Sequence, residues 1–233
     1  MPASLSISAD HRFAAVHAAP SRLAWAIPSA ERRDGGFAQA GQLLHFLPDA
    51  EIYADGCDNV SFYKVVSGVV RTCKFRSDGR RQIDAFYLPG DMFGFETGAE
   101  HRLSAEAVSE CAVASYRWRG LDAIASADDW TARQFLSYAL QNLRRAQEHS
   151  LVLGRRSASQ KVAAFLIDMA DRGPAGQTID LAMARQDMAD YLGLTIETVS
   201  RTLSQLEREG LISLPSARRI CITNRIALHR LSS

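Results

Sequence analysis

The sequence predicts an α+β chain in three successive parts: a β-sandwich or barrel, one long helix, and a winged helix-turn-helix. Three observations carry this. Between about residues 40 and 119, short runs rich in β-branched and aromatic residues recur, among them "VSFYKVVSGVVRTCKF", "RQIDAFYL" and "AEAVSECAVASYRW". A stretch free of Gly and Pro then extends to Gly154. Further on, "RQDMADYLGLTIETVSRTLSQLEREG" has the spacing of helix, tight turn and helix.

Taken in order, residues 1–36 are rich in Ala, Ser and Pro and end in "DGG", the composition of a loosely held arm. The β domain is placed at 37–125. Its runs are divided by turn signals at Ser67-Gly68, Asp78-Gly79 and Pro89-Gly90-Asp91, and many short strands so spaced make a sandwich or barrel. The long helix is placed at 126–154. Along it Leu136, Leu140, Leu143, Gln147 and Ser150 step by four and three, a seam that is apolar first and polar later. That step predicts pairing with a second copy of the chain; the alternative is a helix packed on its own β domain. The last domain, 155–233, opens with Ser157 or Ser159 as cap of a helix "SQKVAAFLIDMADR" that stops near Gly173-Pro174.

The helix-turn-helix follows from local chemistry. A first helix of about Arg185 to Leu192 places the small Ala189 where two helices must approach, Gly193 suits a left-handed turn, and Thr195 is placed to cap the second helix. Met188, Leu192, Leu194, Val199 and Leu203 supply the shared core, and "LISLPSARRICITN" reads as strand, turn and strand, the wing. On the second helix Glu197, Ser200 and Arg201 lie at i, i+3 and i+4, opposite Val199, Leu203 and Leu206. On an isolated helix this would be a solvated face with an ion pair from Glu197 to Arg201. In a helix that enters the major groove the same three meet base edges: Arg201 donates twice to guanine, Glu197 accepts from an exocyclic amine, and Ser200 bonds a base or lies beside a thymine methyl. Arg218 and Arg219, at the wing tip, are assigned to phosphate by charge alone.

Composition limits the remaining possibilities. Formal charge is only +1, so affinity for nucleic acid must come from local asymmetry. Such asymmetry exists: Asn142 to Lys161 holds five basic residues against one acid, and Ser216 to Ser233 holds four arginines and no acid. The start lacks the pattern of an export signal and no run of about 18 apolar residues occurs, so a cytoplasmic protein without a membrane partner is expected. Cys57, Cys73, Cys111 and Cys221 are scattered, which predicts reduced and mostly buried thiols, with Cys221 packing inward from the wing. The six histidines include no H-x-H, and no G-x-S-x-G, Walker or paired zinc motif appears, which argues against a cupin-type metal enzyme and against an enzyme of any kind.

On these residues the chain resembles the CRP/FNR superfamily of transcription regulators. "RQDMADYLGLTIETVSRTLSQLEREGLI" resembles the family's DNA-binding domain, and the E-x-x-S-R set within "LGLTIETVSR" is similar to its FNR and FixK branch; "GVVRTCKF", "LPGDMFGFE" and "GRRSASQKVAAFLIDMA" match in order and spacing over about residues 40–225. The resemblance implies a double-stranded β-roll like a cyclic-nucleotide-binding domain, a dimerisation helix, and a winged helix-turn-helix. It implies an activator that binds palindromes of TTGA-type half-sites as a homodimer and works with RNA polymerase. Members that read TGTGA carry an arginine where Ile196 stands, so Ile196 should favour thymine. Thr195, Thr198, Arg185 and Gln186 match family positions that contact phosphate.

The same resemblance bears on control. Phe95 stands where cyclic-AMP-binding members carry an acid, and Glu96 and Arg102 are weak substitutes for their ligand-holding residues. No cysteine precedes Cys57, unlike the cysteine cluster that holds the iron-sulfur centre of FNR, and neither His45 nor His101 is assigned as a haem ligand. The expectation is a FixK-like regulator with no cofactor, acting on microaerobic respiration, denitrification or nitrogen-fixation genes. The alternative is a regulator gated by a small ligand, a cyclic nucleotide or haem.

Overall fold

Eight short strands form two facing sheets; β-branched and aromatic residues supply them, and some, such as Val70–Phe75 and Cys111–Arg117, carry runs of buried residues in place of alternation. In the computed structural model, which describes residues 41–96, 98–117, 129–155, 157–173 and 178–232, the first sheet has the order β1 (Gln42–Phe46), β8 (Cys111–Arg117), β3 (Ser61–Ser67) and β6 (Met92–Phe93). The second has the order β2 (Glu51–Tyr53), β7 (Ser104–Ala107), β4 (Val70–Phe75) and β5 (Arg81–Tyr87). All paired neighbours are antiparallel. Between the sheets lie Tyr53, Val65, Val70, Phe93, Ala105, Ala107, Cys111 and Val113, with the Tyr53, Tyr63 and Phe93 rings stacked within 5.2–6.2 Å of one another. This is the double-stranded roll. The arm expected over residues 1–36 lies outside the described residues.

The roll buries its outer side as well. The register shift between Thr72 and Cys73 leaves Asp84 as an extra residue in β5, so that Ile83 and Phe86, three positions apart, join Cys73 in the apolar cluster of the C-terminal domain. A sheet buried on both faces cannot slide past its neighbour without exposing apolar surface.

Among the described residues five helices accompany the strands. The first, α1 (Asp129–Leu153), has 25 residues and so runs for roughly 37 Å. Ser157, not Ser159, caps α2 (Ala158–Arg172): Gln160 N donates to its hydroxyl at 3.1 Å and Ser157 N donates to Gln160 Oε1 at 3.3 Å, a reciprocal box closed by Gly173 at the far end. The helix-turn-helix is α3 (Arg185–Leu192) and α4 (Ile196–Arg208), and α5 (Arg225–Ser232) packs on α2. The wing is a sheet of order β10 (Ile212–Ser213), β11 (Arg219–Ile222) and β9 (Thr178–Asp180); its third strand, β9, has no counterpart in the sequence reading. Phe165 sits at the centre, 2% exposed, with the Phe86 ring of the roll at 6.2 Å and the Tyr191 ring of α3 at 5.7 Å.

Asp91, in the Pro89-Gly90-Asp91 turn, joins three elements. Its carboxylate accepts from Leu88 N at 2.8 Å and pairs with Arg145 of α1 at 2.8 Å and Arg172 of α2 at 2.9 Å. A turn signal in the sequence thus doubles as a junction.

Because Phe165 touches both the roll and α3, Phe165→Ala should lower unfolding stability by about 3–5 kcal/mol, read by urea denaturation. The loss should show with probes of the roll and of the helical domain alike; a transition shifted in only one of them would contradict the shared core.

Candidate nucleic-acid interface

The turn between α3 and α4 is set by three residues. Ala189 is fully buried and its carbonyl accepts from Gly193 N and, at 3.0 Å, from Leu194 N. Gly193 adopts φ +63°, a left-handed conformation that costs an L side chain about 1–2 kcal/mol. Thr195 then caps α4, its hydroxyl accepting from Thr198 N at 3.2 Å.

The back of α4 is anchored through Val199, Thr202, Leu203 and Leu206, all buried. Its front is turned out: Glu197 and Arg201 are exposed, Ser200 is half-buried beside them, and Ile196 is 38% exposed. The intrahelical ion pair of the isolated-helix reading does not form within 4.0 Å. The Glu197 carboxylate is instead held below its ordinary value by its own backbone N–H and by the Thr195 hydroxyl, with the charge of Arg201 adding to them. Glu197 therefore stays an acceptor, and Arg201 keeps its donors for another partner.

The remaining expected contacts are spread around this front. Thr195 is exposed and Thr198 half-buried, and their hydroxyls lie 3.1 Å apart. Arg185 and Gln186 start α3, with Gln186 Nε2 donating to Asp190 Oδ1 at 2.7 Å. Both wing arginines are exposed, but Arg219 Nε donates to Asp180 Oδ1 at 2.7 Å, so part of its charge is already met. Cys221 does not pack inward as expected. Strand alternation sends Ile220 and Ile222 into the core and leaves Cys221 half-buried on the other face, 3.3 Å from the Thr178 hydroxyl.

The long helix has two unlike sides. Asn142 Nδ2 donates to Met92 O at 3.0 Å and Arg145 pairs with Asp91, both toward the roll, while His149 is buried against α3. On the other side Leu136, Leu140 and Leu143 are 57%, 55% and 55% exposed, and Gln147 and Ser150 continue the exposed row.

Between the roll and α1 lies a cavity of about 650 Å³, lined among others by Tyr53, Asp84, Glu96, Lys74 and Arg102. Lys74 is bound to Asp55 at 2.6 Å, and Glu96 accepts from the Arg102 backbone N–H at 2.5 Å and faces His101 Nδ1 at 3.2 Å. Glu96 is thus committed to its own loop. Among the described residues no group of three or more His, Cys, Asp and Glu side chains is gathered to hold a metal ion, and no helix is long and apolar enough to cross a membrane.

Comparison with known proteins agrees with this arrangement. Residues 160–231 match the Crp-like helix-turn-helix domain and residues 43–128 the cyclic nucleotide-binding domain. The nitrogen fixation regulation protein FixK of Azorhizobium caulinodans is 51% identical over 201 residues, covering 84% of this chain and 81% of that one. The chain belongs to the CRP/FNR family. The FixK protein of Rhizobium meliloti is 45% identical over 186 residues, covering 80% of this chain and 85% of that one. The structure of FixK2 from Bradyrhizobium japonicum superposes with a TM-score of 0.79 at 42% identity, over 84% of this chain and 98% of that one. As a CRP/FNR regulator of FixK type the protein binds DNA through its helix-turn-helix, and the roll, long helix and winged domain are those the sequence predicts.

What the sequence reading missed in this CRP/FNR chain is a buried ion cluster behind the interface. Arg71 of β4, 5% exposed, donates to Glu106 at 2.8 Å, to Asp49 at 3.0 Å and to Asp187 of α3 at 3.1 Å. Arg81 of β5 holds Asp187 as well and donates to Asp190 at 2.9 Å. Burial opposes the charge of Arg71, but the hydrogen bond it donates to Glu106 and the charges of Asp187 and Glu106 outweigh this and hold the guanidinium protonated. The acids of "RQDMAD" were the only trace of this in the sequence.

The four thiols differ in reach. Burial pushes Cys73 and Cys111 each up to about 11, with Glu106 adding to the effect at Cys73, while Cys57 is exposed. An aromatic disulfide reagent at pH 8 should therefore release one equivalent quickly from Cys57 and a slower one from half-buried Cys221. Fast release of a third equivalent from the folded protein would contradict the burial.

Proposed function

We propose that the protein is a homodimeric activator that binds palindromes of TTGA-type half-sites and recruits RNA polymerase there, in the cytoplasm, with no catalytic step and no small ligand. The observation that carries this reading is the outward trio Glu197, Ser200 and Arg201 on a helix whose opposite side is locked into the core. An acceptor, a hydroxyl and a planar double donor in one turn suit the major-groove edges of cytosine or adenine, thymine and guanine. Ile196, exposed at the first position of the helix, offers a thymine methyl an apolar contact and offers guanine no hydrogen bond. Thr195, Thr198, Arg185, Gln186 and Arg218 surround this front and would hold phosphates, with Arg219 contributing what Asp180 leaves.

Dimerisation is supported by the leucine row of α1. Three leucines more than half exposed at heptad spacing are costly to leave in water and match a second copy of themselves. A twofold axis along α1 would present two recognition helices about 34 Å apart, one turn of DNA. The names of the FixK relatives favour nitrogen-fixation genes as targets, together with the microaerobic respiration and denitrification genes that the family resemblance implies.

Two measurements test this. At one stated salt concentration the protein should prefer a TTGA palindrome over TGTGA, and Arg201→Ala should cost about 1–3 kcal/mol confined to the guanine position; equal affinity for the two operators would remove the base assignment. In sedimentation, Leu140→Glu should shift the protein from dimer to monomer at micromolar concentration. An unchanged dimer would place the interface elsewhere.

A further inference from the structure

We infer that Arg81, Gln82 and His149 are positioning residues for DNA recognition: they pin α3 to the roll and to the long helix, and so fix the relative placement of the two recognition helices without an effector. This rests on the dimeric reading above.

The last carbonyls of a helix have no partner within it and carry the negative end of its dipole. In α3 three successive ones accept from three different parts of the chain. Asp190 O accepts from Gln82 Nε2 of β5 at 2.7 Å, Tyr191 O from His149 Nε2 of α1 at 2.9 Å, and Leu192 O from Lys161 Nζ of α2 at 3.3 Å. Since a carbonyl only accepts, His149 Nε2 carries the proton of that bond. The His149 ring also lies flat on that of Tyr191, with centroids 3.8 Å apart and planes 4° from parallel. On the flank of the same short helix Asp187 and Asp190 are gripped by Arg71 and Arg81.

Lys161 belongs to the C-terminal domain itself, but Arg71, Arg81, Gln82 and His149 do not. The helix is therefore attached to its surroundings by contacts of two kinds. Apolar packing of Phe86 and Ile83 resists separation but tolerates small rotations; buried hydrogen bonds and ion pairs demand particular distances and angles, and a half-met set is worse than none. The polar pins thus select one orientation of α3. The Gly193 turn and the shared core carry that orientation to α4, and His149 refers it to α1, the helix about which the two copies are related.

The test uses the full chain and duplexes carrying either a single half-site or the palindrome, the latter at its preferred spacing and with one base pair added to the spacer. Arg81→Gln and, separately, His149→Phe, which keeps a stacking ring but loses the donor, should each weaken palindrome binding about tenfold. They should also shrink the penalty for the added base pair, while base preference on the single half-site stays that of the parent protein. Arg81→Lys, which keeps a positive charge among Glu106, Asp187 and Asp190, should recover part of the spacer penalty. Folded variants that keep the full penalty would overturn the inference, as would a loss equal on half-site and palindrome, the signature of a merely structural role. Should Arg81→Gln fail to fold, His149→Phe decides alone, because it leaves the ion cluster intact. A parent protein that binds the palindrome no better than a half-site would instead remove the dimeric reading itself.

Discussion

Arg71 brings a permanent positive charge into the seam between the roll and the helix-turn-helix, where a charge left unmatched would cost several kcal/mol. Its neighbourhood answers that demand. Glu106 comes from the adjacent strand, Asp49 from the loop before β2, and Asp187 from the DNA-binding domain; Arg81 and Asp190 extend the set. Four carboxylates thus share two guanidinium groups, and the arrangement is complete only when the two domains are together. Cys73, Ile83 and Phe86 supply the apolar ground on which this polar contact is set. Asp49 is exposed, but removing one guanidinium would leave Glu106, Asp187 and Asp190 facing one another where water reaches poorly, so the seam is held by mutual need more than by any single strong bond.

The parts of the molecule that were legible beforehand are those whose reasons are local. Ala189, Gly193 and Thr195 sit within seven residues and each has one physical job, which is why the turn, its left-handed glycine and its cap could be read directly. The cap of α2 narrows to Ser157 or Ser159, and the reciprocal bonds with Gln160 decide for Ser157. The strands were legible as a class because β-branched runs and turn signals alternate, although the pairing order was not. The parts that escaped depend on partners distant in sequence. Nothing near Arg71 indicates Asp187, 116 residues away, and His149 reads as one histidine among six until Tyr191 is placed against it. Cys221 departs from expectation by one position of strand register, and the Glu197–Arg201 pair, the alternative for an isolated helix, does not form because the capping Thr195 and the helix's own N–H hold the carboxylate.

The recognition surface works within a chain of almost no net charge. At +1 overall, the protein cannot rely on a general attraction to DNA, so its few placed cations must act where they stand. The wing shows the opposite tendency. Asp180 holds Arg219 beside the neighbouring strand, which stiffens the wing but takes some of its charge out of use, leaving Arg218 as the freer of the two.

The leucine row of the long helix has a consequence for dosage. A seam that begins with three leucines and fades into Gln147 and Ser150 is shorter than a full zipper, and a contact of that kind holds only above a threshold supply of subunits. Under the dimeric reading, promoter occupancy below that threshold climbs with the square of the number of chains in the cell. Synthesis and degradation alone can then act as the switch that other regulators obtain from a bound effector.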